Sequence, residues 1–252
     1  MSLPVTNILG VRVSAINMEQ TLTIIDGWIE RRESHYICVT DVHSIMQSYD
    51  DPYMRHIHNT AGLVTPDGMP MVWISRLKGH DHVRRVYGPD LMLALCQHSV
   101  SRGYRHFFYG AAQGVPELLA RRLEERFPGL QTVGCYSPPF RPLTLREDEQ
   151  ILSTINSADP DIVWVGLGCP KQQRWMYEHI GRLRAPVLVG VGAAFDFLSG
   201  LKKQAPRWMQ GCGLEIVFRV LTEPRRLWYR FLSNHPRFVA LVLLDFLGLK
   251  IR

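Results

Sequence analysis

The sequence predicts an α/β fold: a mostly parallel sheet with helices on both faces, extended by a basic helical appendage. Two patterns predict the sheet. Short β-branched apolar runs end in turn residues, and helical patterns of ten or more residues lie between them. Such alternation builds a parallel sheet covered on both sides. A third pattern sets the appendage apart. Residues 202–252 hold 10 Lys and Arg against 3 Asp and Glu, whereas residues 1–201 hold 19 against 20. The net charge of +6 therefore comes from the last fifth of the chain. The expected division is a core over residues 1–201 and an appendage over residues 202–252.

The elements follow in order. Met18–Arg31 reads as a helix opened by Asn17, with Gln20 three residues on to complete a capping box. Tyr36–Thr40 and Gly62–Thr65 are apolar runs of strand length. Pro89–Ser101 is helical, and His106–Tyr109 is the next strand. Helix Gly114–Arg126, strand Thr132–Tyr136 and helix Glu147–Ser157 continue the alternation. Ile162–Val165 and Val187–Val191 close the set of strands, which makes the expected sheet Rossmann-like. In the tail one helix is expected to end near Leu221, with Thr222 capping the next and Pro224 just inside it.

Composition excludes several classes. With 252 residues, 46% of them hydrophobic and 21% charged, the chain is neither disordered nor collagen-like. The apolar run Phe238–Leu244 is far shorter than the roughly 18 residues a bilayer span needs. Met1–Val13 has no charged region ahead of an apolar stretch, so no secretory signal is expected. Five cysteines without a Cys-x-x-Cys read as reduced cytosolic thiols. A cytoplasmic location is the expectation. The tail mixes its basic residues with Trp208, Phe218, Trp228, Tyr229, Phe231, Phe238 and Phe246. That mixture suits an anionic membrane surface; nucleic acid is the competing partner, and a solvated helix pair is the third reading.

In parallel sheets ligands bind beyond the carboxyl ends of the strands, so the loops there are the first candidates. Three are glycine-rich: Gly110–Gly114, Gly166-Leu167-Gly168-Cys169-Pro170-Lys171-Gln172, and Gly190-Val191-Gly192-Ala193-Ala194-Phe195-Asp196. Glycine lets backbone approach a phosphate, and the helix start behind it offers free N–H groups. Together the loops favour a nucleotide or sugar-nucleotide site. None matches a P-loop or a complete dinucleotide fingerprint. A fourth loop, Thr65-Pro66-Asp67-Gly68, places Asp67 at the same edge. Asp67 reads either as a turn aspartate or as a general base. Thr40-Asp41-Val42-His43-Ser44 follows its own strand and can face the same crevice. Metal signals are poor. Asp159-Pro160-Asp161 precedes its strand, which puts it at the wrong edge, and the His80/His82 and His56/His58 pairs lack further partners at zinc spacing.

Seven ordered blocks then carry a resemblance. They are Thr65–Gly68, Arg85–Leu91, Gly166–Gln172, Gly190–Phe197 with Gly200, Ala205–Trp208, Gly213–Glu215 with Arg219, and Glu223–Leu227. In this order they resemble the WecG/TagA/CpsF family of bacterial glycosyltransferases (glycosyltransferase family 26), from about Ile8 to about Phe231. The resemblance implies an inverting, metal-independent transferase with no cofactor. Such an enzyme moves a hexose from a UDP-sugar to a polyprenyl-diphosphate-linked saccharide in cell-surface polysaccharide synthesis. An N-acetylmannosamine type of sugar is favoured, with glucose or a uronic acid also open. By similarity Asp67 is the base, and Thr40, Arg85, Gln172 and Asp196 line the pocket. The tail would dock on the inner face of the membrane and bring Arg219, Arg226 and Arg230 to the diphosphate. Asp41, Gly110, Gly166, Gly168, Lys171 and Gly192 complete the expected substrate contacts. Asp41 stands where many members carry Asn, and Gln173 where many carry Glu. A non-catalytic nucleotide-binding regulator and a nucleic-acid-binding module are the rival readings. Self-association into a homo-oligomer stays open.

Overall fold

The computed structural model describes residues 3–249; the side chains of Arg226 and Arg230 lie outside the described residues. The described chain opens with a hairpin, β1 (Val5–Ile8) and β2 (Val11–Ser14). Its two-residue turn, Leu9-Gly10, has both φ angles positive, as the twist of a tight hairpin requires. Helix α1 (Met18–Glu30) carries the expected Asn17–Gln20 capping box. Then come β3 (His35–Thr40), α2 (Val42–Asp50), α3 (Pro52–Thr60), β4 (Leu63–Pro66), α4 (Met69–Leu77) and α5 (Gly88–Arg102). The chain continues through β5 (Arg105–Gly110), α6 (Val115–Arg126), β6 (Gln131–Tyr136) and α7 (Leu145–Ala158). A second capping box, Thr144 with Glu147, opens α7. The remaining elements are β7 (Ile162–Gly166), α8 (Lys171–His179), β8 (Val187–Gly190), α9 (Ala194–Leu198), α10 (Arg207–Gly211), α11 (Glu215–Thr222) and α12 (Pro224–Phe246).

Six strands form one all-parallel sheet in the order β4-β3-β8-β7-β5-β6. Alternation along the strands divides the core into two layers. Ile37, Val39, Phe108, Trp164 and Val189 point to one face, where Ile25, Leu95, Leu119 and Phe195 of α1, α5, α6 and α9 cover them. Tyr36, Cys38, Tyr109, Val163 and Leu188 point to the other, under Ile57, Ile155 and Met176 of α3, α7 and α8. Adjacent strands β3 and β8 therefore send their following helices to opposite faces. Their loops part at the carboxyl edge and leave a crevice there, the usual ligand position in such sheets.

The hairpin lies beyond β4. Val64 N–H donates to Ser14 Oγ at 3.0 Å, and Val11 and Val13 join Ile45, Met71 and Phe238 in a separate apolar cluster. Phe238 belongs to α12, so the last helix packs on the body. Arg237 pairs with Asp50 at 2.6 Å and Lys78 with Asp245 at 3.0 Å beside it. The other side of the tail leaves Trp208, Trp228 and Tyr229 exposed. No helix among the described residues is long and apolar enough to cross a membrane.

The join of α11 and α12 differs in detail from the expectation. Thr222 ends α11, and its hydroxyl donates to the Phe218 carbonyl at 3.0 Å inside that helix. Glu223, not Thr222, occupies the cap position of α12, with Pro224 in the first turn. A threonine one turn from a helix end can satisfy its hydroxyl backwards, and here it does. Asp159 and Asp161 lie at the amino edge of the sheet. Asp161 accepts the Arg105 N–H at 2.9 Å and pairs with Arg32, and Asp159 pairs with Arg105.

Candidate active site

Asp67 follows β4 where the sheet ends. Its N–H donates to the Thr40 carbonyl at 3.0 Å, which continues the parallel pairing of β3 with β4 by one rung. Thr40 is fully buried, and its hydroxyl donates to Cys38 O at 3.0 Å. Its place is therefore behind the base. Arg85 comes from the segment before α5. Its Nε donates to the Asp67 carbonyl, and its Nη2 lies 3.3 Å from Asp67 Oδ1 and 2.5 Å from Glu215 Oε2. The guanidinium stacks on the Tyr87 ring, with Cζ 4.1 Å from the centroid. Burial pushes the Asp67 carboxyl up to about 7; Arg85 and Arg219 pull it down, while Glu215 and Asp41 push it further up.

Two cavities meet at this carboxylate. One, of ≈ 440 Å³, lies over the glycine loops and is lined by Gly168, Lys171, Gln172 and Gly192, with Tyr87 and Phe197. Its size falls in the range of about 300–1,000 Å³ usual for small-molecule sites. The other, of ≈ 140 Å³, runs under the C-terminal helices between Met69, Pro70, Ile216, Leu227 and Phe231. Asp41, His43, Asp67 and Arg219 line both. The first mixes polar and apolar lining about equally, and the second is mainly apolar.

Arg219 stands out at the junction. Among the described residues it has no carboxylate within ion-pair distance, and its Nε is buried without a hydrogen-bond partner. Its guanidinium carbon lies 5.8 Å from the Phe197 ring centroid. An Nε buried without an acceptor is costly unless something completes it, so this half-buried guanidinium, on which Asp41 and Asp67 act only from beyond ion-pair distance, is suited to meet a negative charge from a ligand. Asp41 is the N-cap of α2, accepting from Ser44 N at 2.9 Å and Ser44 Oγ at 2.8 Å. Burial would raise its carboxyl, but His43, the Ser44 donors and Arg219 outweigh burial and hold it below the usual carboxylate range. Asn caps a helix as well as Asp does, which accounts for either residue at this position.

Gln172 braces two glycine loops. Its Oε1 accepts the Gly168 N–H at 3.1 Å, and a side chain at Gly192 would come within 3.1 Å of the same oxygen. Gly168 and Gly192 both have positive φ. Lys171 also borders a third cavity of ≈ 550 Å³, which Gly166, Tyr109 and Trp175 help to line; of the three, Gly166 borders only this one. Besides Thr40 behind the base and Gly166 at the neighbouring cavity, the structure leaves Gly110 and Asp196 outside the crevice. Gly110 is pressed on the Gly166 backbone, where an added Cβ would come within 2.6 Å of Gly166 C. Asp196 sits on α9, paired with Lys202 at 2.9 Å, behind the wall made by Ala193, Ala194 and Phe197. Arg226 and Arg230 stand on α12, and their side chains lie outside the described residues. Residue-by-residue reading passed over Glu215, Tyr87 and His235 as site residues. Glu215 and Tyr87 lie inside the resemblance blocks, which was the signal available; His235 lies in none, and only the packing of α12 places it at the second cavity.

A parallel sheet whose edge brings two cavities together at a half-buried carboxylate suits an enzyme of the two-substrate group-transfer class. The chain belongs to the glycosyl transferase WecG/TagA/CpsF family, whose model matches residues 6–252. An N-acetylglucosaminyldiphosphoundecaprenol N-acetyl-beta-D-mannosaminyltransferase of Bacillus spizizenii is 30% identical over 216 residues, covering 86% of this chain and 81% of its own. A Bacillus subtilis protein of the same description is 30% identical over 185 residues, 73% and 70% of the two chains. One of Staphylococcus aureus is 24% identical over 223 residues, 88% and 86%.

Proposed function

We propose that this chain transfers a hexose, of the N-acetylmannosamine type, from a UDP-sugar to a polyprenyl-diphosphate-linked saccharide. What carries the reading is the position of Asp67 at the meeting of the two cavities. The donor would occupy the glycine-loop cavity, and the acceptor sugar would enter from the apolar one. Asp67 takes the proton from the acceptor hydroxyl; the freed oxygen attacks the anomeric carbon, and UDP leaves from the opposite side with inversion. A carboxyl raised to about 7 suits a general base near neutral pH. Arg219 meets part of the leaving diphosphate's charge, and backbone N–H groups of the glycine loops would take more of it, in place of a metal. The sugar and the lipid-linked acceptor follow the names of the relatives.

The same reading puts the enzyme on the inner face of the membrane. Trp208, Trp228 and Tyr229 are 64%, 58% and 80% exposed on a segment rich in Lys and Arg, which suits an anionic headgroup layer over an apolar one. Vesicle flotation tests that part: wild type should float with anionic vesicles, and Trp228→Ser/Tyr229→Ser should not. The transfer is tested by UDP release from a panel of UDP-sugars, with and without a polyprenyl-diphosphate-linked acceptor analogue. Release should need one donor and the acceptor, persist in a chelator, and fall by roughly 10²–10⁴-fold in Asp67→Asn. Full turnover in that variant refutes the base.

A further inference from the structure

Glu215 has no role in the transfer as set out above, yet it holds the very guanidinium nitrogen that faces the base. Arg85 Nη2 is 2.5 Å from Glu215 Oε2 and 3.3 Å from Asp67 Oδ1. The rest of that guanidinium is committed too. Its Nε donates to the Asp67 main chain and its face lies on Tyr87. The three side chains are 16%, 20% and 12% exposed for Arg85, Asp67 and Glu215, so water does little to screen them. Glu215 also occupies the first turn of α11, where a helix favours negative charge, and Arg219 stands one turn on along the same face.

We infer that Glu215 is a positioning residue for the proposed base: it draws the Arg85 guanidinium off Asp67 and leaves the Asp67 carboxylate free for the acceptor proton. The inference rests on Asp67 being that base. Without the pull, Arg85 can close on Asp67 as a two-pronged pair, the strongest arrangement open to Arg and a carboxylate. A carboxylate held so is occupied and a weaker base. The other titratable and charged groups facing Asp67 are Asp41 and His43 from α2, Tyr87 beside Arg85, Arg219 from α11 and His235 from α12. Asp41 acts in the same direction as Glu215, and Arg219 acts against both. Of these groups, Glu215 is the one that competes with Asp67 for the same nitrogen of Arg85, and it holds that nitrogen more closely. Because α11 carries both Glu215 and Arg219, seating this one helix sets the base and supplies the diphosphate cation together.

The test is a titration of Asp67 in the ligand-free full chain by carboxyl-carbon NMR, with Asp67→Asn assigning the signal, alongside the pH dependence of turnover. In Glu215→Gln the Asp67 midpoint and the acid limb of kcat should both move down by about one pH unit, tenfold in proton affinity. The plateau kcat should fall while UDP affinity stays within about twofold. Glu215→Asp keeps the charge on a shorter arm and should give an intermediate midpoint, so it carries the test if Glu215→Gln does not fold. An unmoved or raised midpoint overturns the proposal, as does lost turnover with an unmoved acid limb, since a purely structural residue would give that. Normal turnover in Asp67→Asn overturns the base instead, and the NMR midpoint in the Glu215 variants still decides whether Glu215 holds Arg85 away.

Discussion

Asp67→Asn should make the protein more stable while making it inactive, and the gain should depend on pH. The carboxyl ordinarily ionises at 3.8, and the folded protein raises it to about 7, chiefly by burial. That is a difference of roughly three pH units at 1.36 kcal/mol each, or about 4 kcal/mol. For a raised carboxyl, the folded state holds the proton more tightly than the unfolded chain. Its contribution is therefore complete below pH 3.8, is lost as pH rises towards 7, and stays lost above. Asparagine never ionises and escapes that loss. It also gives up the charge that attracts Arg85 across 3.3 Å, though its amide oxygen can still accept there, and Arg85 keeps Glu215 at 2.5 Å, so the guanidinium is not orphaned. The net gain at pH 8 should be roughly 2–4 kcal/mol. Urea unfolding of both proteins from pH 5 to pH 8 measures it. The gap should widen by up to about 1.4 kcal/mol per pH unit below pH 7 and level off above. Equal or lower stability of the variant at pH 8, or a gap that ignores pH, would refute the account of Asp67 as a carboxylate held at a cost for function.

Other outcomes follow from single features. Arg219→Gln should weaken UDP binding by roughly 10–100-fold in calorimetry, because its cation has no carboxylate partner among the described residues to release. Gly166→Ala would put a Cβ 2.7 Å from the Phe195 ring and should cost about 1–3 kcal/mol in urea unfolding, whereas Gly211→Ala in α10 meets open space and should be neutral or slightly stabilising. Phe238→Ala removes the buried side chain that seats α12 and should cost about 3–4 kcal/mol locally, seen as faster hydrogen exchange along α12. Asp50→Asn breaks only the exposed pair with Arg237 and should change stability by less than about 1 kcal/mol.

The strands of the main sheet and the long helices were legible because their signals are local. Asn17 with Gln20 caps its helix through residues three apart, so sequence spacing alone carries the geometry; the matching Thr144–Glu147 box went unread, and that helix starts at Leu145 where Glu147 was expected. The glycine loops fell at strand ends for the same reason. The hairpin Val5–Ser14 went unread: its strands are four residues each, and Leu9-Gly10 is not one of the strong turn pairs. Helices α2 and α3 went unread because nine residues give barely two turns of periodicity, and only their caps, Asp41 and Asp51, mark them. Gly110 looked like a ligand loop, yet its lack of a side chain serves the close approach to Gly166. A glycine reports that space is short and says nothing of what fills it.

By itself the sequence determined the α/β class, the order of the main-sheet strands and the longer core helices, the carboxyl-edge loops and the family, since each depends on neighbours in the chain or on ordered blocks along it. Tertiary structure alone decided the strand order that parts the loops of β3 and β8. It also brought Asp67, Arg85 and Glu215 together across as many as 148 residues, and left Arg219 between two cavities with no ion pair among the described residues. Charge pairing and burial depend on distance in space, which no spacing along the chain encodes.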